Sequence, residues 1–406
     1  MDPARNPFAP GAGTPPPELA GRQAIIDNAS IALKRIKLGK PARSQMLLGL
    51  RGVGKTVLLN RISDIAEQEG FYPLVLEAPE DRDLATMLVP KLRALLFQLS
   101  RSERSAVLAK RGLGILRSFA SAFKVTLGDI EVGVAPEIGT GDSGDLETDL
   151  PDLLFAIVQA AKETGRAVAL FIDEVQYIET QDLSALIVTV HKLGQKNMPF
   201  VLFGAGLPQL AALAGDAKSY AERLFEYPGV GPLSDDDARA AIRSPIEHES
   251  VRINDDALQA IIRQTQGYPY FLQEWGSHTW NIASTSPITA SDVHVAEQKT
   301  LEHLDSGFFR VRLDRLTPRE KDYIRAMAEL GAGPHRSGEI ARLLKIGVTV
   351  AAPLRNGLIR KGMIFSPSHG DTAFTVPMFD DFMKRSMPQW SAPSSAKARK
   401  GKKSSH

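Results

Sequence analysis
Chemistry is concentrated in an octapeptide. Gly49-Leu50-Arg51-Gly52-Val53-Gly54-Lys55-Thr56 follows an apolar run, precedes a helical one, and fits the spacing glycine, four residues, glycine, lysine, hydroxyl. The glycines let consecutive backbone N–H groups turn inward around a phosphate, a conformation that Cβ atoms obstruct. A following helix adds its positive N-terminal end. Lys55 supplies a point charge for β- and γ-phosphates, and Thr56 a hydroxyl for magnesium. A plain glycine turn needs neither.

A second group ends an apolar run about 117 residues further on: Val168-Ala169-Leu170-Phe171-Ile172-Asp173-Glu174. Taken alone, this is as readily an ordinary strand end. After a phosphate loop, Asp173 is expected in the magnesium shell and Glu174 as the general base that polarises an attacking water.

The surrounding elements must hold these groups together. Apolar residues at helical spacing (Ile25, Ile26, Ala29, Leu33, Ile36) lead to a buried strand at 45–48, the loop, and a helix from Lys55 to about Gly70. Strands "YPLVLEA", "AVALFID" and "PFVLFGAG" alternate with helical segments, among them 84–99 and one beginning near Leu150. Such alternation over 40–210 implies a parallel sheet with helices on both faces. Residues 123–134 alternate around Gly128-Asp129 and read as a hairpin.

After Pro232 the strands vanish and four helices follow. From about Phe308, helices near 318–330, 337–345 and 350–361 precede "GMIFSPSHGDTAFTVP", the order of a winged helix. Its third helix is expected to hide Val350, Leu354, Leu358 and Ile359 and to leave Arg355, Asn356, Arg360 and Lys361 for solvent.

The domains expected are a Pro-rich arm (1–20), a nucleotide-binding core (21–232), a helical lid (233–306), a winged-helix domain (307–386) and a disordered basic tail (387–406). With six prolines and two glycines, the arm is expected to be extended and outside any core. A length of 406 residues, 43% hydrophobic and 24% charged, suits a soluble multidomain protein. Without cysteine there is no disulfide and no thiolate chemistry, which suits the cytoplasm. Neither a signal peptide nor a membrane span is expected. Five Lys/Arg and no acid lie between Lys397 and His406; removing them from the net +2 leaves −3. That tail either solubilises the chain or touches nucleic acid or another acidic partner.

Residues 7–386 resemble an AAA+ ATPase of the branch that holds origin-recognition initiators and archaeal-type, STAND-related ATPases. The resemblance rests on "LAGRQ", "GLRGVGKT", "LFIDEVQYI", "AERLFEYPGVGPLS", "GYPYFLQ" and the terminal winged-helix pattern. It implies an α/β P-loop core, an all-α lid, ATP and Mg2+ as cofactors, and assembly as a homo-oligomer or with a protein partner. Gly49, Gly52, Val53, Gly54, Lys55, Thr56 and Val57 then contact the nucleotide. Gly21 and Arg22 lie near the adenine or simply begin a helix. Arg223 is either an arginine finger aimed at a neighbouring subunit or a surface ion pair with Glu222 or Glu226. Pro269, in Gly267-Tyr268-Pro269, either packs near the nucleotide and couples lid angle to its state or just starts a lid helix.

Two departures stand out. The "PFVLFGAG" strand ends in Gly204-Ala205-Gly206, where many relatives place a polar sensor, and Pro269 stands where initiators usually carry a sensor arginine. Gly141-Asp142-Ser143-Gly144 looks like a protease nucleophile loop but lacks an all-β setting, and the eight histidines show no metal spacing. Three functions remain in competition: an ATP-switched ATPase acting on DNA in replication, recombination or mobile-element and defence settings, through winged helix and tail; a STAND-like signalling ATPase that controls a protein partner without DNA; and an ATP-binding scaffold without turnover.

Overall fold
The computed structural model describes residues 1–11, 13–79, 82–126 and 135–391. They form two compact units, Met1–Ala296 and Glu297 onward.

The first unit is built on five parallel strands: β1 (Ser44–Leu48), β2 (Phe71–Glu77), β3 (Ala167–Asp173), β4 (Phe200–Gly206) and β5 (Phe225–Glu226), in spatial order β2-β3-β4-β1-β5. Every residue of β3 and β4 is buried, which is why both read as unbroken apolar runs. The order matters for the chemistry. β1 and β3 are not neighbours, because β4 lies between them, so the glycine loop after β1 meets the acids that end β3 only across the end of β4.

Helices cover the sheet: α1 (Gln23–Lys37), α2 (Lys55–Gln68), α3 (Leu84–Ser100), α4 (Ala106–Ala122), α5 (Leu146–Glu163), α6 (Thr180–Gln195), α7 (Leu210–Ala217) and the single turn α8 (Ala221–Leu224). The expected helix near Leu150 begins at Leu146, where Asp145 accepts from Glu147 N–H and from the Thr148 hydroxyl. α4 had no counterpart in the sequence expectations. Its apolar face packs on α3, where Gly112 leaves room for Leu96. The hairpin expected at 123–134 does not begin as a strand. Phe123 closes α4 and Lys124 takes a left-handed φ of 54°; residues 127–134 lie outside the described residues.

Three lid helices follow in this unit: α9 (Asp235–His248), α10 (Asp255–Thr265) and α11 (Pro269–Ile282). α12 (Ala290–His303) crosses into the second unit. Ser234 caps α9 by accepting from Asp237 N–H at 3.2 Å.

The arm opens with a 3-10 turn, Pro3–Arg5, and, contrary to the sequence expectation, it is not outside the core. Residues 1–9 lie along α11. Asn6 Nδ2 donates to Ser277 O, Ser277 Oγ and Asn281 Oδ1, each at 3.0 Å. Ala9 N–H donates to Gln273 Oε1 at 3.1 Å, and Trp280 Nε1 to Asp2 O at 2.9 Å. Positions 273, 276, 277, 280 and 281 share one helix face. At its centre the Phe8 ring, only 6% exposed, fills the space over Gly276.

The second unit carries α13 (Arg310–Asp314), α14 (Pro318–Glu329), β6 (His335–Arg336), α15 (Ser337–Leu343), α16 (Val348–Arg360), β7 (Ile364–Phe365), β8 (Asp371–Phe374) and α17 (Phe379–Ser386). Its small antiparallel sheet runs β6-β8-β7, and the element order agrees with the winged-helix expectation. The unit begins upstream of residue 307 because Leu304 and Phe309 are buried, with Phe309 stacked on Phe382 at 5.1 Å. α16 departs from expectation in detail. Val350 is 51% exposed and Ala351 takes the buried place. Arg355 is not left for solvent: it donates to Thr372 Oγ1, Ser366 Oγ and Asp371 O at 2.8–2.9 Å. Lys361 is likewise committed, to Glu320 at 2.7 Å. Burial pushes the Glu320 carboxyl up, but hydrogen bonds from Lys361 and Thr317 prevail and leave it below its ordinary value. Among the described residues no helix is long and apolar enough to cross a membrane.

Candidate active site
The octapeptide leaves β1 and enters α2 through two left-handed glycines, Gly52 at φ 84° and Gly54 at φ 90°. The first glycine is demanded by packing: a Cβ on Gly49 would lie 2.2 Å from Val230 O. The loop's carbonyls are turned outward to partners. Lys55 Nζ donates to Leu50 O at 3.0 Å, Tyr270 N–H to Gly52 O at 3.1 Å, and Arg22 Nη2 to Val53 O at 3.2 Å. Among the described residues, the N–H groups of Gly52 to Thr56 have no acceptor. An arc of donors at a helix N-terminus beside a buried ammonium is what an anionic phosphate chain requires.

Across the end of β4, Thr56 Oγ1 donates to Asp173 Oδ2 at 2.5 Å, and Glu174 N–H donates to Asp173 Oδ1 at 2.8 Å. Burial pushes the Asp173 carboxyl above its ordinary value; those two hydrogen bonds oppose the shift. Burial also pushes the Lys55 ammonium down, against the pull of Glu174 and Asp173. Glu174 itself stands at φ 52° and opens a short 3-10 turn, Val175–Tyr177. That turn directs its carboxylate between Arg51, 3.9 Å away, and the amide of Gln176. Arg51 also donates to the Tyr177 hydroxyl at 2.5 Å. Hard oxygens from Thr56 and Asp173, already in contact, form a donor set that fits magnesium.

Packing explains the absence of a polar sensor at the end of β4. A Cβ on Gly204 would meet Met46 Sδ at 2.3 Å, and one on Gly206 would meet Gln176 Oε1 at 2.7 Å. Small residues at the end of β4 leave these side chains where they are; a Cβ would push the ends of Met46 and Gln176 aside.

The remaining expected residues separate. Val57 is half-buried in the first turn of α2, and Val53 is buried beneath the loop. Arg22 does stand beside the loop, but its guanidinium is spent on Val53 O and Gly231 O. Gly21, at φ 67°, lies where a Cβ would strike the Asp237 carboxylate. Pro269 occupies the first position of α11, as a helix-starting proline does. The start of α11 rests on the loop through Tyr270 and on the end of the core through Gly267 O, which accepts from Leu233 N–H at 2.8 Å.

Arg223 is not brought to Lys55. It precedes β5 at the N-terminal edge of the sheet, whereas the loop leaves the C-terminal edge. Among the described residues it makes no ion pair with Glu222 or Glu226. It lines a cavity of about 290 Å³ together with Lys40, Arg43 and His191. The protease-like loop is structural: Ser143 Oγ donates to the buried carboxylate of Asp149 at 2.8 Å.

Two features escaped the sequence reading. The arm reaches the site, where a Cβ on Gly13 would lie 3.5 Å from the Thr56 methyl. Gln176 contacts Glu174. A lone aromatic, Phe8, among prolines was the available signal for the first; an amide two residues beyond Glu174 was a weak signal for the second.

The family model described as AAA ATPase domain matches residues 18–203, and one described as a domain of unknown function matches 306–383. An uncharacterized HTH-type transcriptional regulator of Methanocaldococcus jannaschii is 22% identical over 342 residues, covering 81% of this chain and 79% of its own. Among solved structures, the Walker-type ATPase of Pyrococcus abyssi superposes with a TM-score of 0.57 at 17% identity, over 90% of this chain and 96% of that one. The Aeropyrum pernix ORC2 protein superposes with a TM-score of 0.50 at 16% identity, over 93% and 98%. At these identities the likeness is one of fold.

Proposed function
We propose that the chain, whose residues 18–203 match the AAA ATPase domain model, is a magnesium-dependent ATP-hydrolysing switch whose C-terminal unit acts on DNA. One observation carries the hydrolytic part: Lys55, Thr56, Asp173 and Glu174 converge across the glycine-ended β4. In this reading the free N–H groups of Gly52 to Thr56 and the Lys55 ammonium bind the phosphates. Thr56 and Asp173 would hold magnesium, which when bound neutralises charge on the phosphate oxygens. Glu174 accepts a proton from water, and its backbone turn at φ 52° aims the carboxylate. Arg223, at the opposite sheet edge, serves only a neighbouring subunit's phosphate.

Glu174→Gln is expected to retain ATP and to lower turnover by about 10²- to 10⁴-fold, the usual worth of a general base. Turnover unchanged in that variant contradicts the assignment. Arg223→Ala should lose turnover and regain it when mixed with Glu174→Gln chains, because mixed interfaces then hold one intact Glu174 and one intact Arg223. No recovery on mixing removes the trans role.

The DNA part is supported by the element order of the second unit and by the HTH-type name of the Methanocaldococcus relative. Arg355 and Lys361 are committed within the unit, so contact falls to Arg342, Lys345 and Arg360, which are exposed, and to the tail's basic residues from Lys397 on, which lie outside the described residues. Such cations grip phosphates and not base edges. If five tail charges engage phosphates, log affinity falls by about 4.5 per decade of salt. Removing residues 391–406 should flatten that slope. Failure to retain DNA at any salt would assign the second unit to a protein partner instead.

A further inference from the structure
A continuous hydrogen-bond chain joins the phosphate loop to Glu174. Gly49 N–H donates to Gly206 O at 3.1 Å. The next N–H along, that of Leu207, donates to Gln176 Oε1 at 3.0 Å. Gln176 Nε2 then donates to Glu174 Oε2. The carbonyl of Gly206 and the N–H of Leu207 belong to one peptide group, which is planar and rigid. Any tilt imposed on its oxygen by the loop is therefore transmitted to its N–H, and from there to Gln176.

The orientation of the amide is forced. A backbone N–H can only donate, so Gln176 presents its oxygen to Leu207 and its NH2 to the Glu174 carboxylate. Gly206 is shaped to this contact, since a Cβ there would come within 2.7 Å of Gln176 Oε1 and 2.9 Å of Leu210 Cδ2. The end of β4, which offers no polar side chain of its own, thus acts through its backbone and one borrowed amide.

We propose that Gln176 is a positioning residue for the hydrolytic reaction: it couples the state of the phosphate loop to the placement of Glu174. This rests on the hydrolytic reading above. Glu174 aims at water only while its second oxygen is held, and the holder is anchored to the same peptide that anchors the start of the loop. The Gln176 amide is engaged by Leu207 and Glu174, so in this account the coupling governs turnover and leaves nucleotide affinity alone.

Three variants test this in the full chain with ATP and magnesium, reading kcat and KM from steady-state hydrolysis and affinity from a fluorescent ATP analogue. Gln176→Glu keeps an acceptor for Leu207 N–H but gives Glu174 no donor. Gln176→Met keeps the size and neither contact. Gly206→Ala displaces the amide without altering it. All three should lower kcat by about 10- to 100-fold, the scale of an ångström-level misplacement, with KM and affinity within about threefold of wild type. Wild-type kcat in Gln176→Glu beside a slow Gln176→Met would reduce Gln176 to an anchor of β4 and overturn the proposal. Affinity falling in step with kcat would mean a collapsed site and overturn it as well. Wild-type protein that binds ATP without hydrolysing it defeats the hydrolytic reading and this coupling with it. Wild-type turnover that all three variants preserve defeats the coupling alone.

Discussion

Replacing Phe8 by alanine should release the arm while leaving the core folded. Phe8 is 6% exposed, and its ring covers Gly276 on α11. Truncating a buried Phe ordinarily costs about 3–5 kcal/mol. Here the loss is capped, because the segment can detach without unfolding anything else. Docking rests on the ring's burial, about 1.5–3 kcal/mol, and on the hydrogen bonds made by Asn6, Ala9 and Trp280, about 1 kcal/mol apiece. The ring is the largest single contribution, so Phe8→Ala tips the arm open. Hydrogen exchange read by mass spectrometry should show full loss of protection over residues 1–9, and the midpoint of thermal unfolding should fall by only a few degrees. Gly276→Ala reaches the same end from the other side. Its new Cβ would stand 2.6 Å from the ring, yet it should raise helix propensity by up to about 1 kcal/mol. An arm that stays protected in both variants refutes the docking argument. So does a cooperative loss of about 4 kcal/mol, which would make the arm an integral part of the core.

Tyr268, buried at the start of the lid helix, has its phenol pushed up to about 12 by burial. The unfolded chain therefore loses this proton first, and stability contributed by Tyr268 is complete below about pH 10 and lost as pH rises toward 12. Tyr268→Phe should flatten the alkaline decline in unfolding free energy relative to wild type; parallel curves would place the phenol in contact with solvent. In the second unit, Arg355→Ala removes three hydrogen bonds that tie α16 to β8 and Ser366, and should destabilise that unit by about 2–4 kcal/mol. Chemical denaturation of the unit's own transition would read this, and a change under about 0.5 kcal/mol would return Arg355 to the solvent face. In the same unit, Lys361→Met strips Glu320 of the partner that outweighs its burial, so the stability present above the ordinary carboxylate range and lost in acid should shrink; an unchanged acid limb refutes the pairing.

The parts of the site that were legible in the chain are those set by residue type at fixed local spacing. Gly49 to Thr56 and the acids that end β3 could be picked out because the chemistry proposed for them needs those types in that order. The parallel sheet was legible because alternating strands and helices admit few other solutions. What escaped depends on partners distant in sequence. Phe8 finds its place only because Gly276, far along the chain, lacks a side chain. Arg355 looked like a solvent cation because the hydroxyls and the carbonyl that claim it arrive with the wing. The glycines ending β4 looked like a missing sensor, although their small size follows from Met46 and Gln176 pressing on that strand. Arg223 was expected at a neighbouring subunit or in a surface ion pair, and only the parallel pairing of β5 with β1 shows that it stands at the sheet edge opposite Lys55.

The central claim is that a triphosphate docks on the N–H arc of Gly52 to Thr56 beside the Lys55 ammonium. Isothermal titration of the pure chain with ATP and magnesium tests it most directly. Saturable binding near one site per chain, lost in Lys55→Ala while fold and melting point are kept, is the expected result. Absence of binding in the wild type, or equal binding in Lys55→Ala, would contradict it.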